Sequence, residues 1–187
     1  MKLLPTAFQT VGPFWHIGMT WLAVDRLVAA DERGEWVTIE GHVLDGDGQG
    51  VSDALIEVWQ ANSDGKYADP EDAHDKPLER GVRGFGRVPT DDDGRFRFST
   101  IKPGAVSDLS GGIQAPHLLI SVFMRGLLKR LVTRMYFPSE ERNDDDSVLR
   151  LVPGARRATL IASEKGDGVL EWNIVLQGDR ETVFFDC

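Results

Sequence analysis

From Val37 to Val43 the side chains alternate strictly: Val37, Ile39, Gly41 and Val43 fall on one face, and Thr38, Glu40 and His42 on the other. A period of two is the signature of a half-buried strand, and no helix can present it as one apolar face. Similar strand patterns recur at 54–60, 95–100, 117–123, 130–137 and 169–176. The pattern at 117–123 is apolar enough to read as a strand buried on both faces. Gly/Asp turns separate these runs, as in Asp45-Gly46-Asp47-Gly48. Helix patterns are short and confined to 139–142 and 153–158. The expected architecture is therefore all-β, a β-sandwich of about seven or eight strands with long loops and short helices. With 187 residues, 41% of them hydrophobic, the chain is long enough to bury one real core.

Two stretches do not fit a plain sandwich. Residues 1–22 hold nine large apolar side chains, including Phe8, Phe14, Trp15 and Trp21, yet Gly12-Pro13 breaks any regular element. Such an arm needs cover, either from its own sandwich or from another chain. The expected division is an N-terminal arm at 1–30, packed on a partner, and a sandwich domain at 31–187. Residues 61–90 read as one long polar loop, and loops of that length in a compact domain are usually functional.

Charge and cysteine content narrow the classes. The net charge of −9 repels nucleic acid and anionic membranes, so neither is an expected partner. No apolar run reaches the length of a membrane span. The single cysteine is Cys187, which excludes an intrachain disulfide framework. With no signal-type apolar segment at Met1–Leu4, the cytoplasm is the expected compartment.

Candidate chemistry is sparse. Asp45-x-Asp47-x-Gln49-Gly50 opens like a calcium loop, but Ile56 stands where the bidentate Glu belongs, so it reads as a turn. The acidic clusters at 91–93 and 144–146 read as solvated turn carboxylates. His16, His42, His74 and His117 form no pairwise ligand motif; His42 is expected to be exposed, and His117 to be a satisfied core histidine. Arg125, Lys129, Arg130 and Arg134 make a basic cluster in an acidic chain. Arg125, at the end of the 117–123 strand, suits a small carboxylate held bidentately. The alternative for it is pairing with an acid of the chain.

Four phrases then become recognisable: Leu-Ile-Glu-Val-Trp-Gln-Ala-Asn (55–62), Asp-Gly-Arg-Phe-Arg-Phe-Ser-Thr-Ile-Lys-Pro-Gly (93–104), Ala-Pro-His (115–117) and Arg-Met-Tyr-Phe (134–137). Together they resemble the intradiol ring-cleavage dioxygenases, in order and along nearly the whole chain. The resemblance implies a β-sandwich and an Fe(III) held by two tyrosinates and two histidines. Tyr67 matches the first tyrosine and His117 the first histidine. Val106 stands at the second tyrosine, Leu119 at the second histidine and Gln114 at the catalytic arginine. Val and Leu have no donor atom, so Tyr67 and His117 read as relics of a site that binds no metal. The phrase at 123–134 and the ending at 181–186 point to the α-type chain of two-chain members. In those, a homologous β subunit carries the Fe(III), and the pair builds a higher αβ oligomer. The reaction implied is that of 3,4-dihydroxybenzoate, a small aromatic acid, with O2 to give 3-carboxy-cis,cis-muconate. This chain would lend Thr10, Gly12, Pro13 and Arg125 to the substrate pocket. The alternatives are a stand-alone intradiol dioxygenase with altered ligands, and a noncatalytic binding module of the transthyretin or adhesin type. The last leaves the Trp-Gln-Ala and Ala-Pro-His strands unexplained.

Overall fold

The computed structural model describes residues 6–12, 17–29, 33–78, 83–108 and 111–186. Among the described residues eleven strands are formed, and the six longest are β1 (Trp36–Leu44), β2 (Leu55–Trp59), β3 (Phe85–Pro89), β4 (Arg95–Ile101), β7 (His117–Phe123) and β8 (Leu131–Tyr136). The remaining five have four residues or fewer: β5 (Val106–Ser107), β6 (Ile113–Gln114), β9 (Ser163–Gly166), β10 (Val169–Glu171) and β11 (Ile174–Val175). The fold is all-β, as the alternation predicts.

One sheet is centred on β1. Along one edge β4 pairs with it antiparallel, from Trp36 opposite Ile101 to His42 opposite Arg95. Along the other edge β10 and then β11 run parallel to it, and β9 pairs with β10. The second sheet has the order β3-β2-β7-β8, every neighbour antiparallel. The inward faces meet in one core, with Ile39, Phe96, Phe98 and Trp172 from the first sheet and Ile56, Ile120, Val122 and Met135 from the second. Burying each such side chain stabilises the fold by roughly 1.5–3 kcal/mol, and this core holds the two sheets together.

Several expectations change in detail. β7 is buried throughout on its core face; on the other face His117 is buried while Leu119, Ser121 and Phe123 are half-buried, and His117 and Leu119 line a cavity. The 61–90 segment contains β3, masked in the sequence because an edge strand tolerates Gly86 and Pro89. The helix expected at 139–142 is a 3-10 turn at Glu141–Asp144, capped by the Glu140 side chain. The one expected at 153–158 is the four-residue α1 (Gly154–Arg157), continued by a 3-10 turn at Ala158–Leu160.

Residues 23–28 pack onto the sandwich. Val24 N–H donates to Arg87 O at 2.9 Å and Leu27 N–H to Ser99 O at 3.0 Å, and Leu27 and Val28 are buried in the core. Gly86 permits this approach, since a methyl group there would stand 2.6 Å from Val24 Cγ2. Ahead of that contact Phe8, Ile17 and Trp21 are 66%, 64% and 78% exposed, so described parts of the arm lack cover from their own domain.

Candidate functional site

The outward face of the second sheet carries the site. Register places Trp59, Leu119 and Arg134 in one row across β2, β7 and β8, and His117 opposite Tyr136 in the next. Residues two apart on a strand share a face, so these side chains all project the same way. The loop after β2 folds back over them. Asn62 Oδ1 accepts from the Asp64 and Lys66 N–H groups, which forms the turn, and Tyr67 then reaches His117. A cavity of about 570 Å3 results.

All five positions singled out by the resemblance line this one cavity: Tyr67, Val106, Gln114, His117 and Leu119. His117 is buried, and its Nδ1 lies 2.7 Å from Ala115 O. A carbonyl only accepts, so Nδ1 carries the proton and Nε2 is the acceptor. Tyr67 Oη stands 3.5 Å from Nε2, a weak contact at the limit of hydrogen bonding. Burial, and next the Arg134 charge, lower the His117 pKa to about 4, against the Ala115 bond and Asp146. The ring is neutral at pH 7. Burial raises the Tyr67 pKa, opposed by Arg134 and aided by Asp72, so the phenol keeps its proton.

Asp72 anchors the loop. Its carboxylate accepts from Tyr67 N–H at 2.7 Å and contacts His74 Nδ1 at 2.7 Å, with Lys66 Nζ at 3.5 Å. Burial works against its charge, but the hydrogen bonds of His74 and Tyr67 and the Lys66 charge prevail and hold its pKa at about 2.

Fe(III) does not fit this donor set. It takes hard oxygen and imidazole donors, and Val106 and Leu119 supply none. Tyr67, which would have to ionise, holds its proton more firmly than usual. Among the described residues no group of three or more His, Cys, Asp or Glu gathers to hold a metal ion. Arg134 also places a guanidinium close enough to act electrostatically on both Tyr67 and His117, and that charge opposes a trivalent cation.

The residues expected to meet substrate lie elsewhere. β7 separates them from His117 by about 20 Å at ~3.3 Å per residue. There Gly126 N–H donates to Thr10 Oγ1 at 2.7 Å, and Lys129 Nζ sits 5.0 Å from the Phe8 ring. Thr10 and the Arg125–Gly126 turn are thus brought together; Gly12 is exposed nearby in sequence, and Pro13 lies outside the described residues. Arg125 is 79% exposed, and its Nε lies 3.4 Å from Asp53 Oδ2. In the single chain it makes the acid pairing that the sequence left open, in no enclosed pocket. His42 is half-buried, where exposure was expected, because it accepts from Arg95 Nε at 3.0 Å across the β1–β4 pair. His16 is outside the described residues.

Two important residues escaped the sequence. Arg134 was legible only as one of a basic cluster; its position two before Tyr136 is the signal that it faces the cavity. Asp146 reads as a solvated turn carboxylate but is fully buried. It accepts from Ala115 N–H at 2.7 Å, Tyr136 Oη at 2.9 Å, Val148 N–H at 2.9 Å and Leu149 N–H at 2.7 Å.

Comparison with known proteins identifies this architecture. The model of a dioxygenase family matches residues 18–178. The protocatechuate 3,4-dioxygenase alpha chain of Pseudomonas putida is 40% identical over 100% of this chain and 98% of its own. The chain belongs to the intradiol ring-cleaving dioxygenases. The alpha chain from Burkholderia cepacia is 38% identical over 98% of each chain. The protocatechuate 3,4-dioxygenase beta chain of Burkholderia cepacia is 40% identical, over 93% of this chain and 76% of that one. Among solved structures, 3-chlorocatechol 1,2-dioxygenase from Rhodococcus opacus 1CP shares the fold, with a TM-score of 0.64 at 21% identity over 94% of this chain and 69% of that one. Identity alone does not separate alpha from beta relatives. Coverage of the alpha chains does, and this intradiol dioxygenase chain is an α-type subunit. A transthyretin-like binding module is thereby set aside. The family is typically iron-dependent.

Proposed function

We propose that this chain is the iron-free subunit of a heteromeric enzyme that converts 3,4-dihydroxybenzoate and O2 to 3-carboxy-cis,cis-muconate. A homologous β-type subunit would hold the Fe(III), and the two would assemble into a higher αβ oligomer in the cytoplasm. The observation that carries this reading is the donorless pair Val106 and Leu119 in a cavity that still contains Tyr67 and His117, in a chain matching alpha chains end to end. A stand-alone enzyme with altered ligands has no support in that donor set.

The arm ahead of Ala23 would pack on the partner and bury Phe8, Ile17 and Trp21, which are exposed in the single chain. Thr10, Gly12, Pro13 and Arg125 would then form a wall of the partner's substrate pocket. Exposed ion pairs contribute roughly 0.2–1 kcal/mol, so the Asp53 contact is readily given up for a substrate carboxylate. Assembly would exclude water around Arg125 and strengthen that new pairing.

A charge-assisted hydrogen bond of about 1.5–3 kcal/mol corresponds to roughly 10- to 100-fold in kcat/KM. Arg125→Ala in the αβ complex should therefore lose that much with 3,4-dihydroxybenzoate and little with catechol, which has no carboxylate. Lys at this position should restore part of the loss, lacking the bidentate fork. Equal losses on both substrates at matched iron content, or no loss, would remove Arg125 from the substrate pocket.

A further inference from the structure

We propose that the cavity above β7 and β8 is a binding site for a small aromatic monocarboxylate bearing a ring hydroxyl, anchored by Arg134. This does not depend on the reading of the chain as a partner for an iron subunit. Arg134 is half-buried. Its Nη1 donates to Gln114 Oε1 at 2.7 Å and lies 3.4 Å from Tyr136 Oη, both neutral acceptors. Among the described residues no carboxylate lies within ion-pairing distance of it, and its Nε and Nη2 donors have no protein acceptor. A half-buried guanidinium with no anion beside it is a ready partner for one, and its free edge presents two parallel N–H groups suited to a carboxylate.

The rest of the cavity specifies the ligand. Trp59 and Tyr67 stand with ring centroids 4.8 Å apart and tilted by 45°, and Val106 and Leu119 add aliphatic wall. Such surfaces take a flat ring. The volume, about 570 Å3, lies within the range of small-molecule sites. His117 Nε2 is an acceptor held in place by the Ala115 bond, and Tyr67 Oη at 3.5 Å engages it only weakly. A ligand hydroxyl can donate to Nε2 and accept from the Tyr67 O–H. Four carboxylates also line the cavity, Asp69, Glu71, Asp72 and Asp108; Asp72 is paired with Lys66 and His74, and together they disfavour polyanions. The two donorless replacements have thus turned a metal-type cavity into one organised around a fixed organic cation.

Isothermal titration of the purified full chain tests this with three probes: 4-hydroxybenzoate, its neutral isostere 4-hydroxybenzamide, and benzene-1,3,5-tricarboxylate. One saturable site is expected, about tenfold or more tighter for the carboxylate than for the amide, with the tricarboxylate weakest. In Arg134→Met the carboxylate and amide should bind equally, with near-ultraviolet circular dichroism confirming the fold. The wild-type probe series stands even where that variant fails to fold. Absence of saturable binding, equal wild-type affinities for acid and amide, or a preference that survives in folded Arg134→Met would overturn the proposal.

Discussion

Replacing Asp146 with alanine should destabilise the chain by roughly 4 kcal/mol, a large effect for one surface-patterned residue. Its carboxylate is fully buried and accepts four hydrogen bonds. Truncation strands the Tyr136 hydroxyl and three backbone N–H groups, each of which loses a partner it had exchanged for water. The damage also reaches the cavity, because the Ala115 N–H bond fixes the segment that delivers His117. Asp146→Asn keeps acceptors on one side but turns an amide donor toward a donor on the other, so about half the loss is expected. Urea unfolding of the three proteins measures this. A change below about 1 kcal/mol for Asp146→Ala would show that water replaces the carboxylate, and that the buried network is dispensable.

His117 should make the fold acid-sensitive. Its pKa is lowered by burial, and then by the Arg134 charge, to about 4, from 6.5 in the unfolded chain. The unfolded state therefore binds the extra proton between those two values. Stability from this group is fully present above pH 6.5 and declines as pH falls toward 4, below which it is lost. The shift corresponds to about 3 kcal/mol in total. Asp72 acts in a separate window, between its unfolded 3.8 and about 2, also losing stability as pH falls. Unfolding free energies of wild type and His117→Gln at pH 7.0, 5.5 and 4.0 isolate the histidine. Their difference should shrink by about 3 kcal/mol across that range. A constant difference would mean that the imidazole is protonated equally in both states.

The parts of this fold that were legible in the sequence obey a simple local rule. β1 and β4 bury alternate residues across one long antiparallel pair, and alternation shows wherever one face is wet and the other dry. β9, Ser-Glu-Lys-Gly, is exposed along its whole length, so no pattern marked it; pairing with β10 alone makes it a strand. The reading of β7 as buried on both faces failed for a related reason. An apolar run does not reveal that Leu119 faces a cavity rather than packed side chains. The site was legible through residue types: the missing donors at Val106 and Leu119 are chemical facts that need no coordinates. Arg134 was not, since its role depends on register with Leu119 across β8, and Asp146 was not, since burial of a carboxylate is set by tertiary contacts with Ala115 and Tyr136. Arg125 shows the opposite limit. Sequence placed it at a strand end, and the single chain leaves it exposed beside Asp53.

Whether this chain holds iron is tested by metal analysis of the purified full chain, loaded with iron and then desalted, alongside the chain purified with a β-type partner. The chain alone is expected to hold no stoichiometric iron and show no tyrosinate-to-iron colour, with about one iron per αβ pair and full colour in the complex. About one tightly held iron per isolated chain would contradict this, because Tyr67 and His117 would then belong to a working centre.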